Sequence, residues 1–321
     1  MTTSIFIDGA EGTTGLQIRT RLAGRDDVSL LTLSDDARKD PAQRAAMLNA
    51  CDVAILCLPD DAARESVAMI DNPDTRVIDA STAHRTAEGW DYGFPEMEPG
   101  HAAAIASSKR VANTGCYAVA SVAMLRPLVE DGLLQSDWPV TINAVSGYSG
   151  GGKKMIAGFE DPDATDKIDT PFRVYGLNLA HKHVPEIQQW AGLKLRPLFV
   201  PSVARYREGM IVQVPLQLAA MPNAPKPADV HDILAAHYAD CRFVTVADLV
   251  MGEGSLILDA EEMNGTNELR LHVYGSKDGE HALVVGMLDN LGKGASGQAV
   301  QCLNLMMGAP EEAGLTEKTL L

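Results

Sequence analysis

Apolar and polar positions recur with two different periods along this chain, and the change between them divides it. Ser4-Ile-Phe-Ile-Asp8 is a short β-branched and aromatic run, and after a glycine turn Leu16, Ile18 and Leu22 recur at helical spacing. Val28 to Ser34 predicts a second strand and Pro41 to Asn49 a helix. Asp52-Val-Ala-Ile-Leu-Cys-Leu58 is apolar without a break, as in a strand covered on both faces of a parallel sheet. A helix from Pro59-Asp-Asp61 to about Ile70 and a strand over Arg76–Asp79 follow, and Val111-Ala112 is a short strand leading into a helix from Cys116. Strand and helix alternating in this way predict a doubly wound α/β fold. Further on the strands cluster: 138–146, 198–203, 210–218, 243–246, 269–274 and 282–288, with helices from Pro185 and over 230–238. That half reads as α+β with a mostly antiparallel sheet. Gly147-Tyr-Ser-Gly-Gly-Gly-Lys-Lys154 reads as a mobile, anion-binding loop. Asp289 to Met307 reads as a polar, glycine-rich turn and a long helix, and Ala309 to Leu321 as a surface tail or docked end.

Composition narrows the picture. The 321 residues are enough for two domains with sizeable cores, at 46% hydrophobic and 22% charged content. A net charge of −16 argues against nucleic acid as a partner. Five scattered cysteines fit reduced thiols, and no apolar segment is long enough for export or membrane spanning, so a cytoplasmic protein is expected.

Candidate chemistry sits at three places. Gly9-Ala-Glu-Gly12-Thr-Thr-Gly15, between the first strand and the first helix, is a dinucleotide-binding turn; its glycines admit the pyrophosphate, and Thr13 and Thr14 offer hydroxyls. At the end of the second strand the signal for the adenosine ribose is mixed. Ser34 and Arg38 suit the 2′-phosphate of NADP, while Asp35 and Asp36 add negative charge. The second place is Cys116, directly after Asn113-Thr-Gly115. In the first turn of a helix, unpaired N–H groups and the helix dipole favour a thiolate nucleophile, whereas a lone cysteine there is more often a small buried hydrophobe. The third is His181-Lys-His183-Val-Pro-Glu186. It lacks the cysteine partners of a zinc site, no metal is expected, and an acid/base histidine is the better use. Two strands are linked through Arg205 and Arg207, which suit either a carboxylate or phosphate clamp or a solvated turn, and Ser146 and Ser149 suit either a ligand or turn chemistry.

With these residues in view, the chain resembles the shorter subfamily of the N-acetyl-γ-glutamyl-phosphate reductases over nearly its whole length. The elements are Gly9-x-x-Gly12-x-x-Gly15, Asp79-x-Ser81-x-x-x-Arg85, Tyr92-Gly-Phe-Pro-Glu96 and Asn113-Thr-Gly-Cys-Tyr117. Ser146-Gly-Tyr-Ser-Gly-Gly-Gly-Lys153, His181-Lys-His-Val-Pro-Glu186 and Asp289-Asn-Leu-Gly-Lys-Gly294 complete the set. The resemblance implies a Rossmann-type domain over 1–115, completed by a C-terminal helix within 289–321, and a catalytic and oligomerisation domain over 116–288. It implies NADPH-dependent reduction of N-acetyl-γ-glutamyl phosphate to the 5-semialdehyde, in a homodimer or homotetramer. Cys116 would be the nucleophile and His181 the acid/base. Ser149, Tyr175, His183, Glu186 and Arg207 would lie at the substrate, and Asn290 at the nicotinamide. Thr114 and Val119 depart from the family, which usually has proline and threonine there. Rival readings are another acyl-phosphate reductase, of the aspartate-semialdehyde dehydrogenase kind, and a non-catalytic nucleotide sensor.

Overall fold

The computed structural model describes residues 2–34, 36–252 and 256–315; Asp35 and the tail from 316 onward lie outside them. The chain divides into two units. The first comprises residues up to Pro95, Pro99–Thr114 and 295–315; the second comprises Glu96–Glu98 and Gly115–Gly294.

In the first unit β1 (Thr3–Asp8), α1 (Thr13–Leu22), β2 (Val28–Leu31), α2 (Pro41–Ala50), β3 (Val53–Leu56), α3 (Asp60–Ala68), β4 (Arg76–Asp79), β5 (Asp91–Gly93), α4 (His101–Ser107) and β6 (Arg110–Asn113) follow one another. The strands form one parallel sheet in the order β2-β1-β3-β4-β6-β5. Side chains alternate between its two faces, as a period of two demands. Ile5, Ile7, Val53 and Ile55 pack with Ile18 and Leu22 of α1 and with Val300 and Leu303 of the last helix, α9 (Gly297–Met307). Phe6, Ala54 and Leu56 pack on the other face with Leu48 and Ala63 from α2 and α3.

The second unit opens with α5 (Cys116–Asp131), followed by β7 (Thr141–Gly147), α6 (Gly152–Glu160), β8 (Phe172–Val174), α7 (His183–Trp190), β9 (Leu198–Ala204) and β10 (Met210–Leu216). Then come α8 (Pro227–His237), β11 (Val244–Val246), β12 (Val250–Met251), β13 (Leu269–Gly275) and β14 (Ala282–Leu288). The sheet runs β11-β13-β14-β10-β7-β9-β8, with β12 beside β13. Its centre is antiparallel, as the strand runs predict. The sheet as a whole is mixed, because the crossover through α6, β8 and α7 brings β9 parallel to β7, and β11 and β12 are parallel to β13. The stretch read as a mobile loop is a 3₁₀ turn (Tyr148–Gly151) running into α6. Met155, Ile156 and Phe159 give that segment a helical period, which the glycines before it hide.

Helix α5 is apolar on every side and buried accordingly, packed against α7, α8, β10 and β14. Gly286 on β14 leaves only 3.3 Å between a would-be Cβ and Ala120, so the helix rides close to the sheet. Pro127 lies inside α5 and cannot donate to the carbonyl of Ala123. The hydroxyl of Tyr238, just past α8, donates to that carbonyl instead, at 2.9 Å. Among the described residues no helix is long and apolar enough to cross a membrane.

Candidate active site

In the first unit the glycine turn is built as its spacing predicts. Gly9 has φ +86, and a Cβ there would lie 2.3 Å from the carbonyl oxygen of Cys57; one at Gly15 would lie 2.7 Å from that of Gly9. Gly12 precedes α1 without a side-chain cap, so the first-turn N–H groups, around Thr13 and Thr14, are left to a ligand. Beside the turn is a cavity of about 610 Å³ lined by Asp8, Gly9, Gly12, Leu31, Leu33 and Arg38, among others. Turn and cavity together fit the adenosine half of a dinucleotide. The hydroxyl of Ser34 accepts from Ala37 N–H at 3.3 Å and so caps the short 3₁₀ turn that carries Arg38. Two further lining residues escaped the sequence reading. Glu11 accepts from Arg19 at 3.2 Å and lies 4.0 Å from Arg38, and with Arg44 these put three guanidinium groups at the cavity. Nothing in the spacing of Glu11 and Arg19 distinguishes them from ordinary helix-surface charge.

In the second unit Cys116 is the first residue of α5, half-buried, with Gly115 as N-cap. No side chain at the N-cap serves the helix; instead Gly115 N–H donates to Glu186 Oε1 of α7 at 2.8 Å. Glu186 is buried, and that bond ties the start of α5 to α7, the helix that begins at His183. Cys51, Cys57, Cys241 and Cys302 are likewise thiols.

An aromatic cluster surrounds the start of α5. The Tyr117 ring lies 5.8 Å from those of His181 and His183, and 5.2 Å from Phe199. His181 is 4.7 Å from His183 and 5.8 Å from Tyr175. Tyr175 donates to the Tyr117 hydroxyl at 3.1 Å, and Tyr117 in turn to Ser202 O at 3.1 Å. Burial pushes the Tyr175 phenol up to about 12; the Tyr117 hydroxyl draws it down, and the charge of nearby Cys116 pushes it up again. Tyr117 is also pushed well up, by burial first and then by Tyr175 and Cys116. His181 Nδ1 accepts from His183 N–H at 3.2 Å, so the neutral ring assigned from this bond carries its proton on Nε2, where it can be donated. His183 is buried and His181 half-buried, which leaves His181 the more accessible of the two.

The remaining expected substrate residues have different surroundings. Ser149 is buried and its hydroxyl accepts from Asn290 Nδ2 at 2.9 Å, while Asn290 Oδ1 accepts from Gly209 N–H at 2.8 Å. Both ends of the Asn290 amide are thus bound to protein. Arg207 is exposed and ion-paired with Glu160, which also accepts from Tyr148 at 2.9 Å. Gly294 meets Cys116 directly: a Cβ there would lie 2.7 Å from the Cys116 Cβ. Among the described residues no three His, Cys, Asp or Glu side chains gather to hold a metal.

Residues 4–105 match the semialdehyde dehydrogenase NAD-binding domain, and residues 116–290 the semialdehyde dehydrogenase dimerisation domain. An N-acetyl-gamma-glutamyl-phosphate reductase of Burkholderia cenocepacia is 54% identical over 310 residues, 97% of this chain and 99% of that one. The chain belongs to this reductase family. A second N-acetyl-gamma-glutamyl-phosphate reductase, from Nostoc sp., is 50% identical over 317 residues, covering 97% of this chain and 98% of its own. The family's fold extends to more distant proteins. A probable aspartate-semialdehyde dehydrogenase from Pseudomonas aeruginosa has a TM-score of 0.70 at 17% identity, over 96% of this chain and 99% of that one. Val119 is fully buried in α5.

Proposed function

We propose that the chain reduces N-acetyl-γ-glutamyl phosphate to N-acetylglutamate 5-semialdehyde and phosphate, with NADPH as reductant and Cys116 as nucleophile. The observation that carries the reading is Cys116 at the open end of α5, with Tyr175 and His181 gathered around its neighbour Tyr117. The Cys116 thiolate attacks the acyl carbon, the carbon–oxygen bond to phosphate breaks, and a thioester remains on the protein. First-turn N–H groups of α5 are placed to stabilise the oxyanion that develops in this step. When bound, NADPH supplies the hydride that reduces the thioester carbonyl. His181 donates a hydrogen bond from Nε2–H to the resulting oxyanion on Cys116. That oxyanion re-forms the carbonyl as the carbon–sulfur bond breaks, releasing the aldehyde and returning the Cys116 thiolate. Gly9, Gly12, Thr13, Thr14 and Gly15 would hold the pyrophosphate, and Ser34 with Arg38 the 2′-phosphate that separates NADPH from NADH.

Glu186 acts in this scheme by capping α5, and Asn290 by joining Ser149 to Gly209, so both position the groups that touch substrate. The match of residues 116–290 to a dimerisation domain supports assembly of the chain, which we read as a homodimer or homotetramer, and the cytoplasm is its proposed place of work. The test is the reverse reaction: NADP⁺-dependent oxidation of N-acetylglutamate semialdehyde in the presence of phosphate, against aspartate semialdehyde as competing substrate. Equal specificity constants for the two aldehydes would remove the substrate assignment. Equal constants with NAD⁺ and NADP⁺ would remove the cofactor preference.

A further inference from the structure

Of two sequence motifs, Tyr92-Gly-Phe-Pro-Glu96 and Asp289-Asn-Leu-Gly-Lys-Gly294, only Asn290 has a role in this chemistry so far, and Glu96 of the first meets Lys293 of the second. Lys293 is completely buried, and its ammonium pairs with Glu96 Oε1 at 2.7 Å, with Glu96 4% exposed. The ring of Phe243 lies 5.7 Å from the same ammonium. A pair this buried is a poor device for stability. The desolvation of two charges offsets most of their attraction, and well-packed apolar residues usually do as well or better. What such a pair does supply is a fixed place for the backbone that carries it.

That backbone continues into Gly294, where a Cβ would stand 2.7 Å from the Cβ of Cys116 and 3.0 Å from Leu288 Cδ1. The main chain at 294 therefore lies against the nucleophile at a distance only glycine allows, and limits where the thiol can swing. The rest of the segment is pinned as well. The Asp289 carboxylate accepts from Gly265 and Leu291 N–H at 2.8 Å each, and Asn290 joins Gly209 to Ser149. From Gly292 the chain widens into a π-helical turn, a conformation found mostly where function requires it. We propose that the Glu96–Lys293 pair holds Gly294 against Cys116 and so aims the nucleophile, making Glu96, Lys293 and Gly294 positioning residues. The proposal rests on Cys116 being the nucleophile.

The test uses the full-length chain with Gly294→Ala and, separately, the neutral pair Glu96→Gln with Lys293→Met. Two readouts answer to aim more than to fold: the pH profile of Cys116 carboxamidomethylation by iodoacetamide, and the split between kcat and KM. Gly294→Ala is expected to lower kcat about 10²-fold, the scale of an ångström's misplacement. It should also displace the alkylation profile of Cys116, with KM for NADPH and the melting temperature close to those of the unmodified chain. The neutral pair is expected to fold and to show the same selective loss. Unmodified kcat and alkylation profile in Gly294→Ala, or in a folded neutral pair, would overturn the proposal. Should the neutral pair fail to fold, Gly294→Ala decides alone. Absence of Cys116 labelling in the unmodified chain would overturn the nucleophile itself, and the positioning proposal with it.

Discussion

Thiol chemistry offers the sharpest check on the site, because the structure sets two of the five cysteines apart by charge. Burial pushes the Cys51 thiol from its ordinary 9.0 up to about 11, against backbone hydrogen bonds at Phe6 and Cys51 that draw it down and with a small further rise from the charge of Asp52. Burial, then Asp79 and Asp8, pushes Cys57 up to about 12. At pH 7.5 an ordinary thiol is ionised to about 3 parts in 100, Cys51 to about 3 in 10⁴ and Cys57 to about 3 in 10⁵. A more basic thiolate is also the better nucleophile, by a factor of about 8 for two units and about 20 for three. The net retardation is therefore about tenfold for Cys51 and about fiftyfold for Cys57, before any steric hindrance. Cys302 is wholly buried, and its thiol donates to Gly93 O at 3.5 Å. Iodoacetamide at pH 7.5, with time points split between peptide mass spectrometry and activity, should therefore show inactivation that follows the Cys116 peptide while Cys51, Cys57 and Cys302 lag. Labelling of Cys57 at the rate of an unfolded peptide thiol would refute the burial argument. Inactivation that tracked Cys241 would refute the choice of nucleophile.

Other consequences can be checked more briefly. His181→Asn should lower kcat by roughly 10²–10⁴, the usual scale of general acid–base catalysis, with the melting temperature kept; a larger loss from His183→Asn would reverse the assignment. Tyr238→Phe strands the buried Ala123 carbonyl and should cost about 1–3 kcal/mol in urea unfolding; no loss would mean that Pro127 leaves that carbonyl no real need. His272 is held below its ordinary 6.5 by burial first, then by Arg270, and the unfolded chain therefore binds its proton more readily. Its contribution to stability is complete above about pH 6.5 and is lost as the pH falls through the depressed folded value; His272→Gln should flatten the melting temperature across that window, and an unaltered slope would remove His272 as its cause.

Much of the fold is legible in the sequence because the strands bury in a simple pattern. Val53–Leu56 is buried at every position, and the run reads as a strand covered on both faces. The segments that escape are those whose own residues say little. Alanine-rich α4 has too few large apolar side chains to show a period, and β8 is exposed at all three positions. Glycines in front of α6 carry a loop signal that outweighs Met155, Ile156 and Phe159 behind them. At the site, residue type and order point to Cys116, the histidines and the glycine turn. They do not say which way a side chain faces. Glu186 and Asn290 look like ligands for substrate and cofactor, yet their polar atoms bind Gly115, and Gly209 with Ser149. Gly294 gives no sign in one dimension that it abuts a residue far before it in the chain.

The proline inside α5 also bears on how the chain is made. Ala123 waits for a hydroxyl 115 residues further along. On a ribosome adding about 5–20 residues per second, that is roughly 6–23 seconds of synthesis. Through this interval the helix has one carbonyl unanswered; β10 and α8, which cover its apolar sides, are translated only near its end, and β14 only after it. The middle of the sequence is therefore among the last parts to be completed. A fragment ending before Tyr238 is an unfinished domain with an uncovered apolar helix, a client for chaperones. Truncations meant to isolate the second unit should keep everything through Gly294.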